Sequence, residues 1–222
     1  MQYIFLLIII LISTSQNIIT KHYTVKSSRP NQILYSAVSA LFAMLFFLIS
    51  SGGGLHFSLE CIPYSIGFAI TYAAGLVGLN LALASGPLCI TSLVISYSLL
   101  IPTLYGIIFL KEPLSALAYI GIALLLISLY FINVKKEAVK FSVKWVIYLM
   151  IGFVGNGMCS TIQKIQQIKF QGIYKNEFMI VALAFVVVML MVIMIYQKKD
   201  IKTELKESFK YAPFTGLANG AT

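Results

Sequence analysis

Ala82–Asn133, ALASGPLCITSLVISYSLLIPTLYGIIFLKEPLSALAYIGIALLLISLYFIN, is the stretch whose reading decides the class of fold. Leu88–Leu110 is 23 residues without a charge, and Leu114–Val134 is 21. About 20 apolar residues in a helix cross a hydrocarbon core of roughly 30 Å. The stretch therefore reads as the end of one transmembrane helix and two complete ones. Both joints use the same chemistry. Gly86 is expected to end a helix in the left-handed conformation, and Pro87 to open the next where no N–H is lost. Lys111-Glu112-Pro113 repeats the device with charges that mark the water interface.

Composition agrees. Hydrophobic residues make up 59% of the 222 and charged residues only 10%, against about 25% charged in soluble domains. An ordinary soluble fold is excluded. The net charge of +9 does not point to nucleic acid, because the lysines sit in short gaps between apolar segments. That placement flanks membrane helices against anionic lipid. Cys61, Cys89 and Cys159 are odd in number and far apart, which supports neither a disulfide framework nor a metal site. His22 and His56 read as loop or helix-end residues. No cofactor and no metal are expected.

Outward from the opening stretch, helices are expected over Tyr3–Thr20, Gln32–Ser50 and Pro63–Ala84 before it, and over Lys144–Ile162 and Met179–Tyr196 after it. A secretory signal at the N-terminus would need a positive n-region, which is missing. Thr71, Gly75, Gly78 and Ala82 recur at three- and four-residue spacing and form a small-residue face for close helix packing. Gly52-Gly53-Gly54 reads as a flexible turn, and Trp145 as an interfacial residue. Lys198–Lys210 reads as a charged loop before a short apolar end, Tyr211–Thr222.

The two halves lie on each other. Asn17-Ile18-Ile19-Thr20-Lys21 matches Ser160-Thr161-Ile162-Gln163-Lys164 at an offset of 143. Asn31-Gln32-Ile33-Leu34 matches Asn176-Glu177-Phe178-Met179 at 145, and Ile62-Pro63-Tyr64-Ser65 matches Ala212-Pro213-Phe214-Thr215 at 150. An odd number of helices in the first half makes this an inverted-topology repeat. A complete second copy would need roughly 290 residues in all, so the sequence is expected to be C-terminally truncated. The small-residue turn, the long helix with Pro102 and Gly106, Glu112 and the Gly121-bearing helix together resemble the EamA domain of the drug/metabolite transporter superfamily. The resemblance implies ten helices in two five-helix units. Of these the chain would hold a first unit over 1–136 and part of a second over 137–222. The expected fold is thus an all-α integral membrane protein with seven transmembrane helices and the start of an eighth.

Polar residues within the bilayer are costly and mark pathways. Asn17, Tyr72, Asn80, Ser96, Tyr97, Asn156 and Ser160 are therefore the candidate substrate-binding residues, with Pro102 and Gly106 as candidate hinges; plain interhelical or intrahelical bonding is the rival for each. Lys21 and Lys164 end repeat-equivalent helices, where they would bind an anion or snorkel to the interface. No Asp or Glu is expected inside a helix, which disfavours the carboxylate-coupled export of small multidrug relatives and favours a neutral or zwitterionic solute such as an amino acid or sugar. Scattered acids and histidines supply no catalytic constellation, so an enzyme is not expected. The leading expectation is a multi-pass secondary transporter of the plasma membrane, whose partners are lipid and a small-molecule substrate, with a homodimer left open. A non-transporting scaffold or partner subunit is the alternative, and a multidrug exporter a more distant one. Twelve of the sixteen basic residues lie in gaps after the odd-numbered helices, so the positive-inside rule places those gaps in the cytoplasm and the N-terminus outside.

Overall fold

A computed structural model describes residues 2–26, 31–52, 54–56, 58–113, 115–134, 142–196 and 201–221. Among them every regular element is helical, and nine are α-helices. These are α1 (Gln2–Lys26), α2 (Gln32–Ser50), α3 (Ile62–Ser85), α4 (Leu88–Ser96), α5 (Leu100–Ile108), α6 (Ala116–Val134), α7 (Val143–Lys169), α8 (Lys175–Tyr196) and α9 (Ile201–Ala221).

Five spans among the described residues are long and apolar enough to cross a membrane: Gln32–Ser50, Leu59–Ser85, Leu88–Ile108, Val143–Lys169 and Lys175–Ile195. Helices also form where the first and fifth spans are expected, as α1 and α6, but these are not among the five. Side-chain burial on α8 shows why such helices suit a bilayer. Leu183, Val186, Leu190 and Met194 are buried, while Val188, Val192 and Ile195 on the other side are at least half exposed. A helix apolar on both faces has a protein side and a solvent side that water would not favour. Lipid favours it.

Four local readings change. Lys198–Lys210 is expected as a loop, yet α9 begins at Ile201 and carries Glu204 and Glu207 through that region. Glu177 likewise lies in the first turn of α8. Acids therefore do occur within helices. The Leu88–Leu110 span is broken: α4 ends at Ser96, a 3₁₀ turn covers Tyr97–Leu99, and α5 begins at Leu100. Pro102 explains the break, since a proline ring clashes with the carbonyl four residues back, that of Ser98, and donates no hydrogen bond to it. Gly86 is extended (φ −145°), not left-handed. A glycine is needed there because the Trp145 ring lies where a Cβ would stand. The expected unit boundary at 136/137 lies outside the described residues, as do Gly53 and Lys198–Lys199.

The packing is organised around α3. Its small-residue face meets α7 so closely that a Cβ on Gly155 would lie 2.5 Å from the Gly75 nitrogen, and one on Gly78 2.6 Å from the Gly152 nitrogen. As numbers rise on α3 they fall on α7, so the helices are antiparallel. Small residues allow this backbone approach, and dispersion then holds the pair in lipid. A second core joins α2, α3 and α8 through Ala37, Ala40, Ala43, Ala69, Ala73, Leu183, Val186 and Leu190. Helix α9 lies along α2, with Gly216 against the Ser39 carbonyl.

Hydrogen bonds place the helix ends on two faces. On one, Lys21 donates to the carbonyls of Leu83 (2.6 Å) and Gly86 (2.8 Å), closing the C-terminus of α3 where a cation is favoured. On this face Asn31 caps α2 by accepting from the N–H groups of Ile33 and Leu34, and its amide donates to Glu204 at 2.6 Å. The opposite face holds His56, whose N–H donates to Glu177 at 3.0 Å, and Lys164, which donates to Glu112 at 2.5 Å. Neither Lys21 nor Lys164 is therefore a bare cation awaiting an anion.

Candidate functional site

Halfway along the helices lies a small cavity of about 60 Å³ between α1, α3, α4, α7 and α9. Its polar lining is Gln16, Tyr72, Asn156, Cys159 and Asn219; its walls include Gly75, Leu79, Ile95 and Gly152. The glycines that bring α3 and α7 together thus also frame the cavity. No charged residue lines it. Asn219 donates from its amide to the Tyr72 hydroxyl. Asn156 donates to Ser98 Oγ at 2.6 Å. Ser98 is fully buried and sits in the 3₁₀ turn that Pro102 imposes. The amide that faces the cavity is therefore bonded to the break in the α4–α5 span.

The other expected site residues have separate places. Asn80 is buried and donates to Ser36 Oγ at 2.6 Å, tying α3 to α2. Ser160 returns its hydroxyl to the Asn156 carbonyl (2.9 Å), and Ser96 does the same to Ser92 (2.9 Å). Tyr97 is buried in the 3₁₀ turn. Asn17 is half-buried on α1 beside Gln16, the residue that reaches the cavity. One helical step turns a side chain by about 100°, so neighbours on α1 do not face the same way. Of the seven, Tyr72 and Asn156 meet in one cavity. Gly106 lies under the Lys164–Glu112 pair, where a Cβ would stand 2.5 Å from both Glu112 Oε2 and Lys164 Nζ.

Gln16, Ser98, Cys159 and Asn219 were not singled out by sequence reasoning. Ser98 carried one usable signal, its place four residues before Pro102. Asn219 carried none, because its stretch, Tyr211–Thr222, reads only as the start of an eighth helix with no partner to place it.

A denser polar network lies off the cavity, at the Lys21 face. Tyr35 donates to Thr215 (3.1 Å) and shares a hydrogen with Thr20 (3.2 Å), Ser39 meets Thr215 (2.9 Å), and Tyr23 meets Ser208 (3.2 Å). Tyr23 stacks on Tyr35 at 4.5 Å and receives the Asn31 N–H at 3.0 Å. Burial pushes the Tyr23 phenol up, and hydrogen bonds to Ser208 and Asn31 pull part of the way back. The phenol stays neutral and works as a structural donor and acceptor. These bonds join α1, α2 and α9 side chain to side chain.

No protein-family model matches the chain, and no curated protein matches it.

Proposed function

We propose that this protein is a secondary transporter of the plasma membrane, working by alternating access on a small neutral or zwitterionic organic solute such as an amino acid or sugar. The observation that carries the reading is the cavity at mid-length, lined by Gln16, Tyr72, Asn156 and Asn219 and free of charge. Uncharged amides and a phenol can hydrogen-bond polar solutes from both sides, as donors and as acceptors. Polar groups at that depth mark transport pathways. The buried acids, Glu177 and Glu204, lie at opposite faces, away from the cavity. This arrangement favours an uncharged or zwitterionic solute over a lipophilic cation exchanged at a carboxylate.

Helix packing supports the inverted repeat that such transporters use. The sequence matches pair α1 with α7, α2 with α8 and α3 with α9. Under that exchange the α3–α7 contact becomes α9–α1, and the α2–α9 contact becomes α8–α3; all four are present, whereas the smaller α1–α3 and α2–α3 contacts have no comparable counterpart in α7–α9 and α8–α9 among the described residues. The α2–α8 contact maps onto itself. The EamA-like architecture of two five-helix units is consistent with this pairing, with helices of both units meeting around the cavity. The solute would then bind where the units meet, and rocking of one against the other would expose it to each face in turn.

Uptake of labelled neutral and zwitterionic amino acids and sugars into proteoliposomes tests the reading. Uptake above protein-free vesicles is expected for at least one solute, with loss on Asn156→Ala and Tyr72→Phe. If the whole panel gives no uptake with folded protein, the transporter reading fails.

A further inference from the structure

A larger cavity lies elsewhere, and the transport reading does not use it. A groove of about 270 Å³ runs between the start of α3 and the first half of α8. Glu177, Val181 and Phe185 line one wall in a helical stripe, and Cys61, Ile62 and Ser65 line the other. From Glu177 to Phe185 is eight residues, or about 12 Å along a helix at 1.5 Å per residue. Both walls belong to segments apolar enough to span a membrane. The groove therefore starts at a carboxylate near the helix ends and runs into the hydrocarbon. Its lining is apolar apart from Ser58, Cys61, Ser65, Tyr174 and Glu177.

The mouth lies at the level of the lipid headgroups. Lys169 sits 5.1 Å from the Tyr64 ring centre and 5.3 Å from that of Phe170, which are aromatic and basic residues of the kind that gather at the bilayer interface. Lys175 opens α8 two residues before Glu177. Glu177 is only 8% exposed, and its described partner is the neutral N–H of His56. Lys164 is paired with Glu112, and no described cation forms an ion pair with Glu177. A shielded carboxylate beside an apolar groove calls for a cation with an apolar tail.

We propose that this groove is a lipid site, holding an acyl chain of phosphatidylethanolamine with the primary ammonium of its headgroup on Glu177. The ammonium supplies hydrogen-bond donors and the missing positive charge, and the lipid phosphate lies at the level of Lys169 and Lys175. The site depends on the membrane location of the protein and not on whether it transports.

Native mass spectrometry of the full chain, released from detergent containing equal amounts of phosphatidylethanolamine, phosphatidylcholine and phosphatidylglycerol, tests this. The wild type retains phosphatidylethanolamine in preference. Glu177→Gln still accepts the His56 N–H but lowers that preference by roughly tenfold, the scale of one charge-assisted hydrogen bond. Val181→Trp fills the groove and removes the bound lipid. Equal retention of the three lipids by the wild type, preference for either of the other two, or a preference unchanged in both variants overturns the proposal.

Discussion

Four glycines decide how close the two central helices come. Gly75 and Gly78 on α3 and Gly152 and Gly155 on α7 place backbone against backbone, whereas Gly121 on α6 has nothing within 4 Å of a built Cβ. Gly155→Leu should therefore destabilise the protein by about 1–3 kcal/mol, the usual cost of overpacking. Gly121→Leu should stay within about 0.5 kcal/mol. Thermal unfolding followed by size-exclusion chromatography would compare them, and equal losses would refute the packing account. The two buried asparagines differ in kind. Asn80→Ala and Asn156→Ala each remove an interhelical bond, worth about 0.6 kcal/mol in membrane proteins and rarely above 1.7. Both should lower stability by a similar small amount. If the cavity binds solute, only Asn156→Ala should also abolish uptake in proteoliposomes.

At the scale of elements, the α4–α5 span is the part that would move under the proposed transport mechanism. A continuous helix would transmit force along its length; the 3₁₀ turn at Tyr97–Leu99 divides it beside the cavity. Below that turn, the far end of α5 leads into Lys111, whose backbone is left-handed (φ 52°), and into the Glu112–Lys164 pair over Gly106. The short segment α5 thus has a helix break at one end and an ion pair at the other, and on the transport reading the break would be its hinge. Pro102→Ala restores a backbone N–H and should straighten the span, raising thermal stability while slowing uptake; unchanged uptake would remove α5 from the mechanism.

Much of this arrangement can be read in the sequence, and the remainder depends on partners a single chain cannot name. The small-residue stripe of α3 predicts a close contact; that α7 supplies the other side follows only from three-dimensional placement. The cap at Asn31 is legible because Asn before an apolar helix satisfies free N–H groups. Its second role, holding Glu204 from 173 residues away, is not. Asn17 drew attention over Gln16 because its repeat equivalent is also polar, yet the phase of α1 turns Gln16 to the cavity. The charged start of α9 reads as a loop because its polarity hides the buried positions Glu204 and Ser208, each held by a hydrogen bond to a distant helix.

For the whole molecule, the two faces differ in charge and the transporter account requires both to reach one site. Lys21 and Lys26 on α1, Lys144 on α7 and Lys206 and Lys210 on α9 lie toward the Lys21 face, which the positive-inside rule assigns to the cytoplasm. Cysteines introduced at His56 and Gly172 should thus react with an impermeant thiol reagent from outside intact cells, and one at Lys26 only after permeabilisation; the reverse pattern would invert the orientation.

The central claim is that the mid-length cavity opens to each side in turn, and Cys159 lies in its wall. With Cys61 and Cys89 replaced by serine, Cys159 is left as the one thiol. Its reaction with a small impermeant thiol reagent can then be followed from each face of sealed vesicles, with and without a transported solute. The account predicts labelling from both faces and protection by the solute. Labelling from one face alone, or labelling from both that no transported solute slows, would contradict it.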